Sequence, residues 1–513
     1  MTGAFLTKDA LMDRPTTARF FQNRRQADLK TPCIKQNVFD RFYLIASESV
    51  VAISKSFVLV DVSDLRYDSF RDDFGPMNLQ ATMIFSERLH SILSAHPKQS
   101  IALHCALNNE DVTNAAYLIG AYMILHLDMT SEEVERRLCD PLLQHLISFR
   151  DVSLGPQTFH LHLCDCWAGL WQADQLGWIR RTAAGFDYAA YAHYGDPLNG
   201  DLHEVVPGKF FAMRGPKGLP PGELWRDVID ADGRFSHRDL SPAYYADTLR
   251  QLGARAVVRL CTPEYDAAEL AAAGLGFADL YFEDCTCPPA DVVAKFMLIA
   301  EGVPGAIAVH CRSGLGRTGT LIALYMMQHH GFSARAAMGW LRIVRPGSVM
   351  GPQQQYLVDR EAVMRRTAAG FAAARVAAAP TSVAEGDVDG IIASALATVD
   401  ARLRAVRARQ ARSSPSAAAP ADAAEAGSPG PSSEGPASPS EADSESSSLA
   451  RSMCAGSELG GGSCAGGPET HPVCCGGADG PRRLSLSGLL SRGGARRASA
   501  ASAASLCLRV RCL

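Results

Sequence analysis

Residues 306–324 read "AIAVHCRSGLGRTGTLIAL": an apolar run closed by a His-Cys pair, then three glycines around an Arg-Thr pair that opens a second apolar run. Packing gives no reason for a thiol on such a turn, so the reason for Cys311 is chemical. Glycines at 314, 316 and 319 let successive backbone N–H groups point inward around a tetrahedral anion. The start of a helix adds its partial positive charge at the same point. Arg312, Ser313, Gly314, Leu315, Gly316 and Arg317 are therefore read as a phosphate cradle, in which Arg317 grips two oxygens with its planar fork. The same field favours a thiolate at Cys311, which attacks phosphorus without help from a metal. Thr318 is placed to hydrogen-bond the sulfur and help it leave, and His310 to brace the loop rather than to act as a base. Cys-x5-Arg alone is weak, since about one accidental match is expected in a chain with 15 Cys. The strand, the glycines and the helix start around it carry the reading.

Displacing an alcohol or phenol from a phosphate ester also needs a proton donor on a loop that reaches over the ester. "YFEDCTCPPADVV" (281–293) supplies Asp284 at the exit of an apolar run, with Glu283 as its competitor. The same carboxylate then serves as base for the water that hydrolyses the phosphocysteine. A side-chain amide to hold that water is offered by "RPGSVMGPQQQYL" (345–357), where Gln353 and Gln354 are both candidates.

The elements that must position these groups read as alternating strands and helices, hence mostly parallel sheets flanked by helices. "RFYLIAS", "SFVLVDV" and "SIALHCAL" are expected strands of one α/β unit, with "TNAAYLIGAYMILHL" its helix. A second unit runs from "GKFFAMRG" through "AVVRLC", "ADLYFED" and "AIAVHC". The two echo each other: "IALHCALNNEDVTNAAYLIGAYM" (101–123) aligns with "IAVHCRSGLGRTGTLIALYMM" (307–327). Six residues after each Cys stand Asp111 and Arg317. A carboxylate there repels phosphate, so the first copy is read as catalytically dead. The expected division is a flexible segment at 1–36, an inactive phosphatase-like domain at 37–187, a catalytic domain at 188–366 and a disordered low-complexity tail at 367–513. Within the tail, 389–410 has helical periodicity.

With 47% apolar residues there is ample material for cores, and a net charge of −4 offers no general basic field for nucleic acid or anionic membrane. The longest apolar-looking run is too short to span a bilayer. The Cys residues lack zinc-site spacing. A reduced intracellular protein without metal or cofactor is the expectation.

The run from "VVRL" through "HCRSGLGRTGTLIALYMM" to "RPGSVMGPQQQYL" resembles the cell-division-cycle-fourteen family of dual-specificity protein phosphatases. The likeness extends through "AHYGDPLNGDLHEVVPGKFFAMRGP" (192–216) and "DDFGPMNL" (72–79), covering roughly residues 38–366. It implies tandem phosphatase-like domains with only the second active, Cys311 as nucleophile, Arg317 as phosphate clamp and Asp284 as general acid. It also implies phosphoprotein substrates, with phosphoserine before proline and a basic residue soon after, as cyclin-dependent kinases leave them. The family's acidic groove for that basic residue is altered here: "GDPLNGD" (195–201) keeps Asp201 and offers Asp196 out of register, with Glu204 nearby. A long insert at 217–237 carries Glu223, Asp227, Asp230 and Asp232, from which the groove could be rebuilt. The family's compartments are nucleus, nucleolus, spindle pole, centrosome or cilium, and cytoskeleton.

Cys285 and Cys287 flank Asp284 and are candidates for a reversible disulfide with oxidised Cys311. In the tail, Ser485 and Ser499 follow basic pairs suited to a kinase, and Ser414, Ser428 and Ser438 precede proline. The rival readings are a phosphoinositide or RNA 5′-end phosphatase, a narrow phosphotyrosine enzyme, and a non-catalytic phosphoprotein-binding scaffold. "CRSGLGR" has only one further cation, Arg312, for a polyphosphate, and the Cys311, Asp284 and Arg317 set argues against the scaffold.

Overall fold

The computed structural model describes residues 33–48, 56–179, 186–377 and 387–413. In the first half the elements run β1 (Cys33–Phe39), β2 (Phe42–Ser47), β3 (Val58–Leu59), α1 (Leu79–Ala95), β4 (Ile101–Cys105), α2 (Asn109–Leu127), α3 (Ser131–Leu142) and α4 (Leu163–Gln175). The sheet order is β1-β2-β4-β3, with β4 parallel to both neighbours and β1 antiparallel to β2. Residues 33–36, expected to be loose, are the start of β1 and pair with Ser47 to Leu44. Their side chains alternate between exposed and half-buried, because an edge strand turns only one face to a core. "SFVLVDV" contributes only Val58–Leu59 as strand.

The second half runs α5 (Tyr188–Gly195), β5 (Leu202–Val206), β6 (Phe210–Met213), β7 (Trp225–Ile229), β8 (Phe235–Leu240), α6 (Pro242–Gln251), β9 (Ala254–Arg259), α7 (Ala268–Ala272) and β10 (Gly276–Asp279). It continues with α8 (Ala290–Gly302), β11 (Ala306–His310), α9 (Gly316–His329), α10 (Ala334–Val344) and α11 (Pro352–Ala377). The five-stranded sheet has the order β10-β9-β11-β6-β5, and β11 lies parallel between β9 and β6. All five residues of β11 are buried, as a strand covered on both faces requires. Its carboxyl end delivers the chain to the loop at 311, where ligands of parallel sheets bind. β10 ends at Asp279, so Asp284 sits on a connection beyond the strand rather than at its last residue.

Helices α4 and α10 weld the halves at van der Waals contact of their backbones. A Cβ at Gly169 would lie 2.3 Å from the Ala336 carbonyl, and one at Gly339 2.6 Å from that of Asp165. Around this contact Arg335 pairs with Asp165 at 2.9 Å, and Trp178 stacks on Phe332.

The tail expected to be disordered from 367 is helical further on: α11 continues to Ala377, and α12 (Val388–Ser413) realises the periodicity at 389–410. Its Ile392, Ala395 and Val399 are buried, and Asp400 pairs with Lys295 of α8 at 2.8 Å. Residues 1–32 and 414–513 lie outside the described residues, and with them Ser414, Ser428, Ser438, Ser485 and Ser499.

Candidate active site

Cys311 follows β11 directly and is 2% exposed. Its loop bends at Gly314, whose φ is +69°, a left-handed conformation; a Cβ there would lie 1.9 Å from the Met213 carbonyl. Only glycine fits. Gly215 N–H donates to the Arg312 carbonyl at 3.0 Å, tying the loop to the chain beyond β6. Arg317, 3% exposed, enters the site from the first turn of α9. Its Nη1 donates to the Phe282 carbonyl at 3.0 Å, and its Nη2 lies 3.2 Å from Asp284 Oδ1.

Two buried groups are left over. Arg317 Nε and the Thr318 hydroxyl have no hydrogen-bond partner among the described residues. Such groups are costly in a folded protein unless a ligand satisfies them. The oxygens of a phosphate ester would serve Arg317 Nε. The bond expected from Thr318 to the sulfur is not formed.

The acid loop separates its two carboxylates. Glu283 accepts from the Tyr281 hydroxyl at 2.7 Å, whereas Asp284 lies against Arg317 and accepts from the Cys285 N–H at 3.0 Å. Behind the loop, His310 is fully buried, and burial pushes its pKa down to about 4, so the ring is neutral. Its Nδ1 donates to the Cys311 carbonyl at 2.9 Å, which leaves Nε2 to accept from Tyr265 at 2.8 Å. His310 braces the loop.

The two glutamine candidates are also told apart. Gln353 is buried with its amide nitrogen 3.0 Å from the Thr286 carbonyl on the acid loop, and a Cβ at Gly316 would come within 2.8 Å of its oxygen. Gln354 is occupied elsewhere: it accepts from Arg342 at 2.6 Å and donates to Asp151 at 2.8 Å. The structure brings Gln353 to the loop and commits Gln354 to the contact between the halves.

"Dual specificity protein phosphatase, N-terminal half" is the family that matches residues 36–173, and "Polymorphic toxin system, DSP-PTPase phosphatase" matches 238–331. Human dual specificity protein phosphatase CDC14C is 35% identical over 325 residues, covering 63% of this chain and 69% of that one. The chain belongs to the CDC14 family. Human CDC14A is 37% identical over 301 residues, covering 58% of this chain and 48% of its own. Tyrosine-protein phosphatase cdc-14 of Caenorhabditis elegans is 34% identical over 305 residues, covering 58% and 41%. The chain thus spans about half the length of several relatives it matches. Among solved structures, a putative protein tyrosine phosphatase from Leishmania major covers 27% of this chain and 97% of its own, at 26% identity and a TM-score of 0.22.

For a CDC14 family member the acidic groove residues are placed unexpectedly. Asp201 is held at 2.6 Å by Arg345, Asp196 accepts from the Leu198 N–H in its own turn, and Glu204 accepts from Gly208 at the β5–β6 turn. β5 runs antiparallel to β6, so that turn lies at the end of the sheet opposite the catalytic loop. Glu204 is therefore not brought to the site. The insert's carboxylates are no freer: Glu223 pairs with Arg226, Asp227 with Arg238, and Asp230 accepts from the Asp232 and Arg234 N–H groups.

The residue that sequence reasoning missed is Arg345. It is 2% exposed and donates to the carbonyls of Gly314 at 2.9 Å and Ser313 at 2.8 Å, as well as to Asp201. An Arg before Pro-Gly, at the end of a helix, was its one signal. A thiol also escaped notice. Cys261 is buried after β9, and burial together with the nearby Cys311 charge pushes it up to about 11. Cys285 is exposed, and the Cys287 thiol faces the Pro352 carbonyl at 3.8 Å.

In the first half, Cys105 and Asp111 line a cavity of about 590 Å³ with His104 and Asn114. Burial and the Asp111 charge push the Cys105 thiol up to about 12, against thiolate formation. No helix among the described residues is long and apolar enough to cross a membrane.

Proposed function

We propose that this chain hydrolyses phosphoserine, phosphothreonine and phosphotyrosine in proteins through a phosphocysteine intermediate. The observation that carries the reading is Arg317: fixed by the Phe282 carbonyl, facing Asp284 at 3.2 Å, with one donor unused on the loop that begins at Cys311. Cys311 Sγ attacks phosphorus while the loop N–H groups of Arg312 to Gly316 and the Arg317 fork hold the oxygens that gain charge. Asp284 gives its proton to the departing serine, threonine or tyrosine oxygen. In the second step Gln353 holds a water, Asp284 takes its proton as the water oxygen bonds phosphorus, and the phosphorus–sulfur bond breaks. The Thr318 hydroxyl, without a partner among the described residues, turns to hydrogen-bond the departing sulfur. No cofactor enters either step.

The family supports a finer reading, in which Ser-Pro sites are preferred and phosphorylation by cyclin-dependent kinases is reversed in cell-cycle control at nucleus, spindle pole or cytoskeleton. Because Asp201 is tied to Arg345 and the insert carboxylates are paired, the preference for a following basic residue is weaker than the family's. The test compares phosphate release from pSer-Pro-x-Lys, pSer-Ala-x-Lys and pTyr peptides by the chain and its Cys311→Ser form. Activity on all three peptides that is highest on pSer-Pro and lost with Ser supports both readings. Equal activity on pTyr keeps the cysteine chemistry and removes the proline preference.

A further inference from the structure

The insert at 217–237, with the residues up to Leu240, forms a two-stranded hairpin, β7 with β8, standing apart from both larger sheets. Four of its large apolar residues are open to water: Leu224 at 47%, Trp225 at 49%, Ile229 at 55% and Phe235 at 52%. Scattered exposed apolar residues need no explanation, but a cluster on one small element does. Trp225, Asp227 and Ile229 stand on one face of β7, and Ile229 pairs with Phe235 across the hairpin just past a register shift at Val228/Ile229, so three of the four share a face with Asp227 between them. Two ion pairs are internal to the arm, Asp227 with Arg238 and Glu223 with Arg226. Arg238 also covers one side of the Trp225 ring at 3.9 Å.

The base of this arm adjoins the catalytic loop. Arg214, next to the Gly215 that binds the Arg312 carbonyl, donates to the Arg238 carbonyl at 2.6 Å. Lys217 N–H donates to the Leu240 carbonyl at 2.9 Å, and its ammonium pairs with Glu264, which also lies 4.0 Å from Arg312. From that base, strands of five and six residues reach roughly 17–20 Å outward. On β8 the Arg238 and Leu240 carbonyls are taken by Arg214 and Lys217, whereas the outer edge of β7 is unpaired by any other described strand and is open to a further strand.

We propose that the hairpin is a docking arm for an extended apolar segment of the phosphoprotein substrate, roughly five or more residues from the phosphorylated side chain. The segment adds its backbone to an open edge and lays alternate apolar side chains on Trp225, Ile229 and Phe235. This rests on the phosphoprotein reading above and assigns to the insert a selectivity that its paired carboxylates cannot provide.

The experiment uses the full chain and synthetic 30-residue phosphoserine-proline peptides. These carry alternating Val and Leu on the amino-terminal side of the phosphosite, the same on the carboxyl-terminal side, or Ser throughout; p-nitrophenyl phosphate reports the bare chemistry. The expected result is kcat/KM about tenfold higher for one apolar-flanked peptide than for the Ser peptide, mainly through KM. In Trp225→Ala/Ile229→Ser/Phe235→Ser the advantage disappears, while p-nitrophenyl phosphate turnover stays within about twofold. A second variant, Glu223→Gln, breaks only the pair with Arg226, outside the apolar face, and keeps the advantage. Equal rates on all three peptides by the unaltered chain overturn the proposal, as does a triple variant that loses p-nitrophenyl phosphate turnover as much as peptide turnover. Turnover of p-nitrophenyl phosphate but of no peptide would instead sink the phosphoprotein reading itself.

Discussion

Replacing Arg345 by Met keeps the length of a buried side chain and removes its charge and its donors. In the folded chain those donors hold the Ser313 and Gly314 carbonyls at 2.8 and 2.9 Å and the Asp201 carboxylate at 2.6 Å. Breaking a buried ion pair from one side costs about 3–5 kcal/mol. Asp201 keeps 24% of its side chain in water, so the lower end, about 3 kcal/mol, is expected from urea unfolding. The catalytic consequence is separate. With Arg345 gone, the two carbonyls are free to turn inward, where they would oppose both a phosphate and a thiolate. Misplacement of reacting groups by about 1 Å costs about 100-fold, so kcat/KM on p-nitrophenyl phosphate should fall by at least about that factor, and alkylation of Cys311 by iodoacetate should slow. Asp201→Asn is the control: it lowers stability but leaves the loop carbonyls bound, and activity should stay within a few-fold. Arg345→Met protein that is folded, less stable and still within about threefold of full activity would refute the argument that Arg345 shapes the loop.

Asp284→Asn should cost about 100-fold more on a phosphoserine peptide than on p-nitrophenyl phosphate, because only the serine oxygen needs a proton to leave; equal losses on both would remove Asp284 as the acid. Gly314→Ala forces a Cβ to 1.9 Å from the Met213 carbonyl and should abolish measurable turnover while α/β content by circular dichroism is retained. His310 titrates near 6.5 when unfolded and at about 4 when folded, so the unfolded chain binds the extra proton between those values. Stability from this residue is full above about pH 6.5 and lost as pH falls to about 4, roughly 3 kcal/mol in all. His310→Gln should flatten that part of the urea-midpoint profile, leaving the share of His203, which burial and the Arg345 charge hold down at about 3. A chain ending at 377 loses the buried Ile392 and Val399 and the Lys295–Asp400 pair, and should unfold about 3–5 kcal/mol more easily; an unchanged urea midpoint would show α12 to be undocked in solution.

Local chemistry was the legible part of the sequence. Cys311, the glycines and Arg317 are neighbours in the chain, so one strand–loop–helix unit carries the proposed nucleophile and clamp, whereas Asp284 and Glu283 both lie beyond β10 and are told apart by the contact of Asp284 with Arg317. What could not be read depends on which residues meet across long stretches of chain. Arg345 acts through Ser313, Gly314 and Asp201, up to 144 residues away. Gln353 and Gln354 are adjacent and chemically identical, and they are distinguished by distant contacts, Gln354 with Asp151 and Gln353 with Thr286. The acidic groove failed for a related reason. A carboxylate in the text carries no sign of whether an Arg elsewhere has claimed it, and here Arg345, Arg226 and Arg238 claim three of them. At the chain's start, β1 was missed because an edge strand with one buried face can be written in polar residues.

The first half, expected from its Asp111 to be inactive, still touches the candidate site of the second. Asp151 accepts from the Gly351 N–H and from Gln354, so the first half fixes the start of α11, where Gln353 stands. Phe70, 56% exposed, reaches the same neighbourhood: a Cβ at Gly347 would lie 3.1 Å from its ring and 3.2 Å from Leu315 of the catalytic loop. The α4–α10 weld then holds α10, whose Arg342 donates to the Ser348 and Val349 carbonyls ahead of that turn. Side chains of the first half thus bear on the segment between Arg345 and Gln353 that closes the back of the site. An inactive copy that only filled space could lose these contacts without consequence. One that sets the distance between Gln353 and the acid loop cannot, because the water held there must meet both Asp284 and phosphorus. On the proposed mechanism the first half would thus act as a frame for the hydrolytic second step, through Asp151 at the start of α11.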